Sequence, residues 1–142
     1  MDWLEACGGK RVTVTEPSAS KLVLVDSSGW IEYMGEGPKA DRFAVFLQRE
    51  DLLLVPTVVI CEVYKKVLRQ SGHTVAMRFT SHALRGRVAD FNANLATHAA
   101  TLSLDHNLAM ADAIIYATAQ DHRAELATAD HHFAGLPDVT LI

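Results

Sequence analysis

The chain has 142 residues, a length that suits one domain with a hydrophobic core and is short for two. Hydrophobic residues make up 49% of the sequence and charged residues 21%, which is typical of globular proteins and excludes a mainly disordered chain. With 13 basic and 17 acidic residues the net charge is −4, so a strongly basic nucleic-acid binder is not indicated. An enzyme that gathers carboxylates around a metal ion is compatible with this charge.

No segment of the sequence predicts a membrane span or a secretory signal. The longest apolar stretch, Leu52–Cys61, is interrupted by Pro56 and is far shorter than the roughly 20 residues that cross a bilayer. Residues 1–20 contain no continuous apolar run. Two cysteines, Cys7 and Cys61, are too few for a disulfide framework or a cysteine-only zinc site. We therefore expect a reducing, cytoplasmic location.

Residues 1–20 differ in composition from the rest of the chain. They contain Gly8-Gly9 and an alternating segment, Val12–Thr15, followed by Pro17. The alternation is compatible with a short strand, but we interpret residues 1–20 as a flexible N-terminal extension. Residues 21–142 are then the folded domain.

From Lys21 onward, predicted strands alternate with predicted helices. The strands are Leu22–Val25, Leu52–Val55, a weak strand near Val88, Glu125–Thr128 and Val139–Ile142. The helices begin at Ser27 or Ser28, Pro38, Thr57, His73, Asn92 or Asn94, and Ala109, and end near Met34, Arg49, Gln70, Leu84, Leu104 and Gln120. Ser27 or Ser28, Thr57, and Asn92 or Asn94 are the predicted capping residues. This alternation predicts an α/β fold with a parallel sheet and helices on both faces.

Four acidic residues fall where the predicted strands end or the helices begin. Asp26 follows the first strand directly, and Asp130 follows the Glu125–Thr128 strand by two residues. Glu62 lies in the second turn of the helix after Pro56, and Asp112 lies in the first turn of the Ala109 helix. Because the carboxyl ends of parallel strands share one edge of a sheet, we expect the four carboxylates to converge there.

Each acid also has a purely structural interpretation. Asp26 could cap the helix that follows it, Asp130 could serve a turn or a cap, and Glu62 could face solvent. Asp112 resists this interpretation, because residues 108–119 are apolar nearly all round. An unpaired buried charge costs several kcal/mol, whereas the helix dipole offsets only about 0.3–1 kcal/mol. Clustered carboxylates also repel one another unless a cation lies among them, and oxygen ligands suit Mg²⁺ or Mn²⁺.

At these residues the sequence resembles the PIN domains, and within them the VapC-type toxins of bacterial and archaeal VapBC toxin–antitoxin pairs. The resemblance extends from about Leu22 to Ile142, so residues 1–20 depart from a family whose chains usually begin near the first strand. The segments that carry it are Leu24–Ile31, Glu62-Val63, Ala111–Ala119, Leu126–Phe133 and Gly135-Leu136-Pro137.

The resemblance implies a PIN-like three-layer fold with a five-stranded parallel sheet and a Mg²⁺- or Mn²⁺-dependent endoribonuclease. Asp26, Glu62, Asp112 and Asp130 match the acidic positions of the family, where they would be catalytic and hold the metal. Thr128 matches a hydroxyl residue that precedes the last acid in many members.

The partners implied are an RNA substrate, a VapB-type antitoxin and a second copy in a homodimer. The C-terminal arm of the antitoxin would lie across the acidic edge and place a basic side chain among the carboxylates. Its apolar anchors would pack on a groove formed by Trp30, Ile31, Tyr33 and Met34.

Basic residues near the acids are candidates for RNA contacts. Lys65, Lys66 and Arg69 follow Glu62 by three, four and seven residues, which places much of their charge on the Glu62 side of one helix. Arg85 and Arg87 form a second basic pair. Phosphate positioning and an ordinary solvated helix face both remain open for these residues. We interpret His131-His132 as surface residues, because no histidine spacing pairs with the cysteines for zinc.

Three other functions are compatible with alternating strands and helices. A phosphoaspartate receiver would need an acidic pair after the first strand, but Ser27-Ser28 follow Asp26. A haloacid-dehalogenase-like phosphatase would need an aspartate at position 28, which is serine. A PIN-like partner-binding module without nuclease activity remains the alternative, although all four acids are present.

Overall fold

The structure, a computed structural model, describes residues 21–142. The expectations for residues 1–20, including the strand over Val12–Thr15, lie outside these residues. The described strands are β1 (Val23–Val25), β2 (Leu53–Pro56), β3 (Arg87–Ala89), β4 (Glu125–Thr128) and β5 (Val139–Leu141). The α-helices are α1 (Ser27–Met34), α2 (Ala40–Leu47), α3 (Thr57–Ser71), α4 (His73–Ala83), α5 (Ala93–His106) and α6 (Met110–Asp121).

The five strands form one parallel sheet in the order β3-β2-β1-β4-β5. The chain moves outward from β1 to β3, crosses back to β4, and then continues to β5. Since crossover connections between parallel strands are right-handed, α1–α4 cover one face of the sheet and α5–α6 cover the other. The predicted α/β architecture, with a parallel sheet between two helical layers, is confirmed. The direction of winding reverses between β1 and β4, and ligand sites in such sheets lie outside the strand ends at this reversal.

The core forms on both sides of the sheet. Leu24, Val25, Leu54 and Leu126 are fully buried in the central strands. On one face, Trp30 of α1 packs edge to face on Phe79 of α4, with ring centroids 5.1 Å apart. On the other face, α6 is buried continuously from Ala113 to Ala119, because it packs on both α5 and the sheet. The apolar character of this helix in the sequence is therefore explained by burial.

The beginning of α1 differs from the prediction. Its N-cap is Asp26, whose carboxylate accepts a hydrogen bond from the Gly29 backbone N–H at 3.1 Å. Ser27 and Ser28, the predicted caps, lie in the first turn instead. Asp26 thus follows β1 and caps α1. Because its carboxylate satisfies the free N–H group of Gly29, the hydroxyls of both serines are left to bind other groups.

A glycine is required one residue further along α1. A Cβ atom built on Gly29 would lie 2.5 Å from Val25 Cγ1 and 2.6 Å from Phe43 Cε1. Any side chain there would push α1 away from β1 and α2, and would move the Asp26 cap with it.

Other boundaries shift by a few residues. Helix α2 begins at Ala40 rather than Pro38, and a 3₁₀ turn over Glu50–Leu52 delays the start of β2. Thr57 is the first residue of α3, not its cap, because Pro56 occupies the N-cap position. Asn92, one of the two predicted caps of α5, does accept a hydrogen bond from Leu95 N–H at 2.9 Å. A second 3₁₀ turn, His131–Phe133, has Asp130 as its N-cap, which is the structural interpretation that the sequence allowed for this acid. Among residues 21–142, no helix is long and apolar enough to cross a bilayer.

Candidate active site

The four predicted acids reach one region at the carboxyl edge of the sheet. Asp26 lies at the end of β1, and Asp130 lies two residues past β4, the neighbouring strand. Glu62 lies in α3 and Asp112 in the first turn of α6. The charges of Asp130, Glu62 and Asp26 all raise the pKa of Asp112, so the four carboxylates lie within electrostatic reach of one another.

Asp26 is the most deeply buried of the four, with 3% of its surface exposed. Its Oδ1 accepts hydrogen bonds from Ser28 Oγ at 2.7 Å and from Gly29 N–H, and its Oδ2 accepts one from Thr128 Oγ1 at 2.7 Å. Burial raises the pKa of Asp26 above its usual range, although these three donors act in the opposite direction. The carboxylate is therefore fixed in orientation by the protein before any ligand arrives.

The Thr128 hydroxyl connects two of the acids. It donates to Asp26 Oδ2 and accepts a hydrogen bond from the Asp130 backbone N–H at 2.9 Å. Thr128 is fully buried at the end of β4, so its side chain has one available geometry. Ser28 makes a parallel connection, because its Oγ also accepts the Ala129 N–H at 3.3 Å. Two hydroxyls thus join the end of β1 to the end of β4.

The remaining acids are held less tightly. Glu62 is half-buried, and its Oε1 accepts a hydrogen bond from Ser27 Oγ at 2.7 Å. Asp112 is also half-buried, and partial desolvation together with the three neighbouring negative charges raises its pKa to about 6. A carboxyl group this close to neutral pH marks a place where negative charge is in excess.

Sequence reasoning missed one residue at this site. The side chains of Asp112, Asp130 and His132 each offer one ligand atom, and these atoms lie within 4.8 Å of one another. His132 Nδ1 lies 2.8 Å from Asp130 Oδ1, and the His132 backbone N–H donates to the same oxygen at 2.9 Å. His132 is a surface residue, as expected from the sequence, yet it faces the acids because the 3₁₀ turn capped by Asp130 folds it back.

The serine contacts also escaped the sequence analysis. Ser27 and Ser28 directly follow Asp26, and two successive hydroxyls after an acid at the end of a strand were the available signal. Their assignment as helix caps concealed it.

The three basic residues proposed from the sequence lie on α3. Lys65 and Arg69 are exposed and Lys66 is half-buried. None of the three forms an ion pair with another residue of the described chain. Lys65 and Lys66 follow Glu62 by three and four residues, so both lie about one helical turn from it.

With the fold and the acids placed, comparison with known proteins identifies the family. The family model of the PIN domain matches residues 23–139. The chain belongs to the PIN domain family. The match covers β1–β4, the first residue of β5 and all four acids. No curated protein sequence matches this chain significantly.

Solved structures share the fold over most of the chain. A toxin–antitoxin complex from Klebsiella pneumoniae is similar with a TM-score of 0.72 and 24% identity, over 83% of this chain and 95% of that one. VapC20 of Mycobacterium tuberculosis, a toxin that cleaves the sarcin–ricin loop, has a TM-score of 0.67 and 18% identity, over 81% and 95%. A DNA-bound VapBC complex from Salmonella typhimurium has a TM-score of 0.66 and 14% identity, over 86% and 97%.

The role of Thr128 can be tested by removing its hydroxyl. The substitution Thr128→Val keeps the shape of the side chain but leaves Asp26 Oδ2 and the Asp130 N–H without their partner. We expect the free energy of unfolding, measured by urea titration, to fall by about 1–3 kcal/mol. Thr118→Val is the matched control, because Thr118 is equally buried and its hydroxyl donates only to the Ile114 carbonyl of its own helix. Equal losses in the two variants would contradict a special role for Thr128.

The raised pKa of Asp112 predicts a pH dependence of stability in metal-free buffer. Below pH 4 the carboxyl is protonated in both the folded and unfolded states. Between about pH 4 and 6 the folded state retains the proton that the unfolded state loses, so the free energy of unfolding falls as the pH rises. The raised pKa of Asp26 acts in the same direction.

Asp112→Asn removes this contribution. We expect the variant to lose less stability over that pH interval and to be more stable than the wild type at pH 7 by about 1 kcal/mol, a value reduced by partial solvation of the carboxyl group. Urea unfolding at a series of pH values with a chelator present measures both quantities. A variant less stable than the wild type at pH 7 would show that Asp112 is not under repulsion.

Proposed function

We propose that this protein is a metal-dependent endoribonuclease and the toxin component of a type II toxin–antitoxin pair. The observation that carries the proposal is the convergence of Asp26, Glu62, Asp112 and Asp130 at the strand-order reversal of a PIN domain. The similar structures include a toxin–antitoxin complex and a toxin that cleaves RNA, which supports the same function here.

The donor set fits a divalent cation. Asp112 and Asp130 offer carboxylate oxygens within 4.8 Å of each other, and the negative charge around them keeps the pKa of Asp112 high. A bound cation would relieve that repulsion. We assign Asp26, Asp112 and Asp130 to the metal, with Glu62 orienting water or holding a second ion. When bound, Mg²⁺ or Mn²⁺ stabilises negative charge on the phosphate and activates water at neutral pH.

The protein's own residues prepare this chemistry. Ser28, Gly29 and Thr128 hold Asp26 in one orientation, so no rotation of its carboxylate is needed when the metal binds. Ser27 holds Glu62 in the same way through one oxygen and leaves the other free. Lys65 and Lys66, with Arg69 further along α3, offer positive charge to the RNA phosphates.

Loss of a single acid tests the nuclease assignment. We expect Asp112→Asn to abolish Mn²⁺-dependent cleavage of RNA while the far-ultraviolet circular dichroism spectrum stays unchanged. Asp51→Asn is the matched control, because Asp51 is an exposed aspartate that precedes β2 and so lies at the opposite edge of the sheet from the acids. Cleavage by Asp112→Asn at the wild-type rate would overturn the assignment.

Titration of Mg²⁺ or Mn²⁺ into the metal-free wild type separates the nuclease from a PIN-like partner-binding module. A module without nuclease activity has no need for tight metal binding.

The imidazole of His132 favours Mn²⁺ over Mg²⁺, because Mg²⁺ prefers oxygen ligands. We expect His132→Ala to weaken Mn²⁺ binding by about tenfold in calorimetry and to reduce the preference for Mn²⁺. His131→Ala is the matched control, since His131 is the exposed neighbour and is not among the grouped ligand atoms. Unchanged Mn²⁺ affinity in His132→Ala would remove His132 from the site.

A VapB-type antitoxin would silence the nuclease by covering the acids. The structure corrects one detail of its expected docking: Trp30 is fully buried and cannot anchor a partner. Tyr33 and Met34 are half-buried and line an open groove of about 540 Å³ together with Ala40 and Ala44. These residues of α1 and α2 would form the groove that receives the apolar anchors of the antitoxin, whereas Ile31, also expected there, is not among the lining residues.

The antitoxin proposal predicts competition with the metal. A basic side chain from the antitoxin arm would occupy the position of the cation, so the complex should bind Mn²⁺ more weakly than the free toxin. By reciprocity, excess Mn²⁺ should weaken antitoxin binding to the same degree. Calorimetry of the toxin with and without its antitoxin measures this, and equal Mn²⁺ affinities would exclude inhibition through the metal site.

A further inference from the structure

Positive charge is concentrated in one part of this acidic protein. Between Glu62 and Asp90 the sequence contains six of its 13 Lys and Arg residues and no Asp or Glu. This segment comprises most of α3, all of α4 and β3. A chain with a net charge of −4 thus presents a strongly basic pair of helices next to an acidic site.

Helix α4 presents part of this charge in an open groove of about 630 Å³. The lining combines hydrogen-bond donors with apolar surface and contains no carboxylate. The lining residues are His73, Thr74, Met77, Arg78, Ser81, His82 and Arg85. Two guanidinium groups and two hydroxyls within one groove are the donors that proteins use to bind phosphate oxygens.

The two arginines of the groove are available to a ligand. Arg78 is exposed and forms no ion pair within residues 21–142. Arg85 lies with its Nη1 3.2 Å from Glu50 Oε1, but this contact uses only one of the five N–H donors of its guanidinium group. The groove therefore retains most of its donor capacity.

The groove lies toward the amino edge of the sheet, because Arg85 and His82 contact Glu50 and Leu47, which precede the first residue of β2. His82 Nε2 lies 2.7 Å from the Leu47 carbonyl oxygen, and the His82 ring packs edge to face on Trp30 at a centroid distance of 5.1 Å. Trp30 lies in α1, the helix that Asp26 caps. A strand of RNA in this groove would thus contact the protein at a distance from the acids, which lie at the carboxyl edge.

We propose that the α4 groove binds the phosphodiester backbone of the substrate RNA, away from the scissile bond. The proposal rests on the function proposed above. Four clustered carboxylates repel RNA, so positive charge elsewhere on the surface must supply much of the binding energy. An acidic protein segment is the other candidate ligand, but a docked peptide needs apolar anchors and Met77 is the single apolar side chain of the groove lining.

Salt dependence of RNA binding tests the proposal. The probe is a short fluorescein-labelled single-stranded RNA of mixed sequence, and binding is measured by anisotropy in the Asp112→Asn background so that the RNA stays intact. The logarithm of Kd rises linearly with the logarithm of salt concentration, with a slope of about 0.7 for each phosphate contact on a single strand. We expect Arg78→Gln to lower the slope by about 0.7.

Arg42→Gln is the matched control, because Arg42 is an exposed arginine of α2 outside the groove lining. Its slope should equal that of the parent. Arg42 and Arg78 are both exposed, so Arg42→Gln and Arg78→Gln should both fold, and thermal melting verifies this. Arg85→Gln provides a second measurement on the groove and should also lower the slope.

An unchanged slope in both groove variants would overturn the proposal. If the same variants instead weaken binding of the antitoxin, the groove is a protein-docking surface and the RNA assignment is wrong. The proposed function is tested separately. If the wild type does not cleave RNA but Arg78→Gln still lowers the salt-dependence slope of RNA binding, the groove proposal stands and the nuclease assignment is wrong.

Discussion

The buried carboxylate of Asp26 is the interaction on which the site depends. It ends β1, caps α1 and accepts the hydroxyl of Thr128 from β4, so three elements meet at one side chain. A carboxylate with this little exposure is costly unless its oxygens are hydrogen-bonded, and three donors satisfy them. The same three hydrogen bonds that offset the cost of burying the charge also fix the orientation of the Asp26 carboxylate.

The parallel sheet turns this local arrangement into a site. Because β1 and β4 are neighbours at the point where the winding reverses, their carboxyl ends open a cleft that no crossover helix fills. Helices α3 and α6 begin at this edge and add Glu62 and Asp112. Desolvation by burial and the repulsion among the acids together raise the pKa of Asp112 to about 6, which means that the metal-free fold carries unfavourable charge at neutral pH. The site is thus built for a cation at some cost in stability.

Charge on the rest of the surface complements the acidic cleft. The segment between Glu62 and Asp90 contains six Lys and Arg residues and no Asp or Glu. It packs on α1 through the contact of Phe79 with Trp30. An acidic centre beside a basic pair of helices matches a polyanionic substrate that must approach a metal ion. Net charge alone conceals this, because the two regions nearly cancel in the sum.

The sequence by itself determined the fold class and the candidate acids. Alternating strand and helix signals predict a parallel sheet, and Asp26, Glu62, Asp112 and Asp130 stand at positions that this topology brings to one edge. These inferences succeed because they depend on periodicity and on strand direction, which are local properties. The sequence also established Asn92 as one of two candidate caps, since capping is decided within a few residues.

Only the tertiary structure decided which polar groups meet. Ser27 and Ser28 are equally good helix caps in the sequence, but the packing of α3 and β4 against α1 directs their hydroxyls to Glu62 and Asp26. The 3₁₀ turn capped by Asp130 brings His132, expected only at the surface, to the acids, and Trp30, expected at a partner surface, is enclosed by α4. Such contacts join residues as much as 102 positions apart, as Thr128 and Asp26 are. Local propensity carries no information about them, because the approach of distant elements is fixed by how their apolar faces pack.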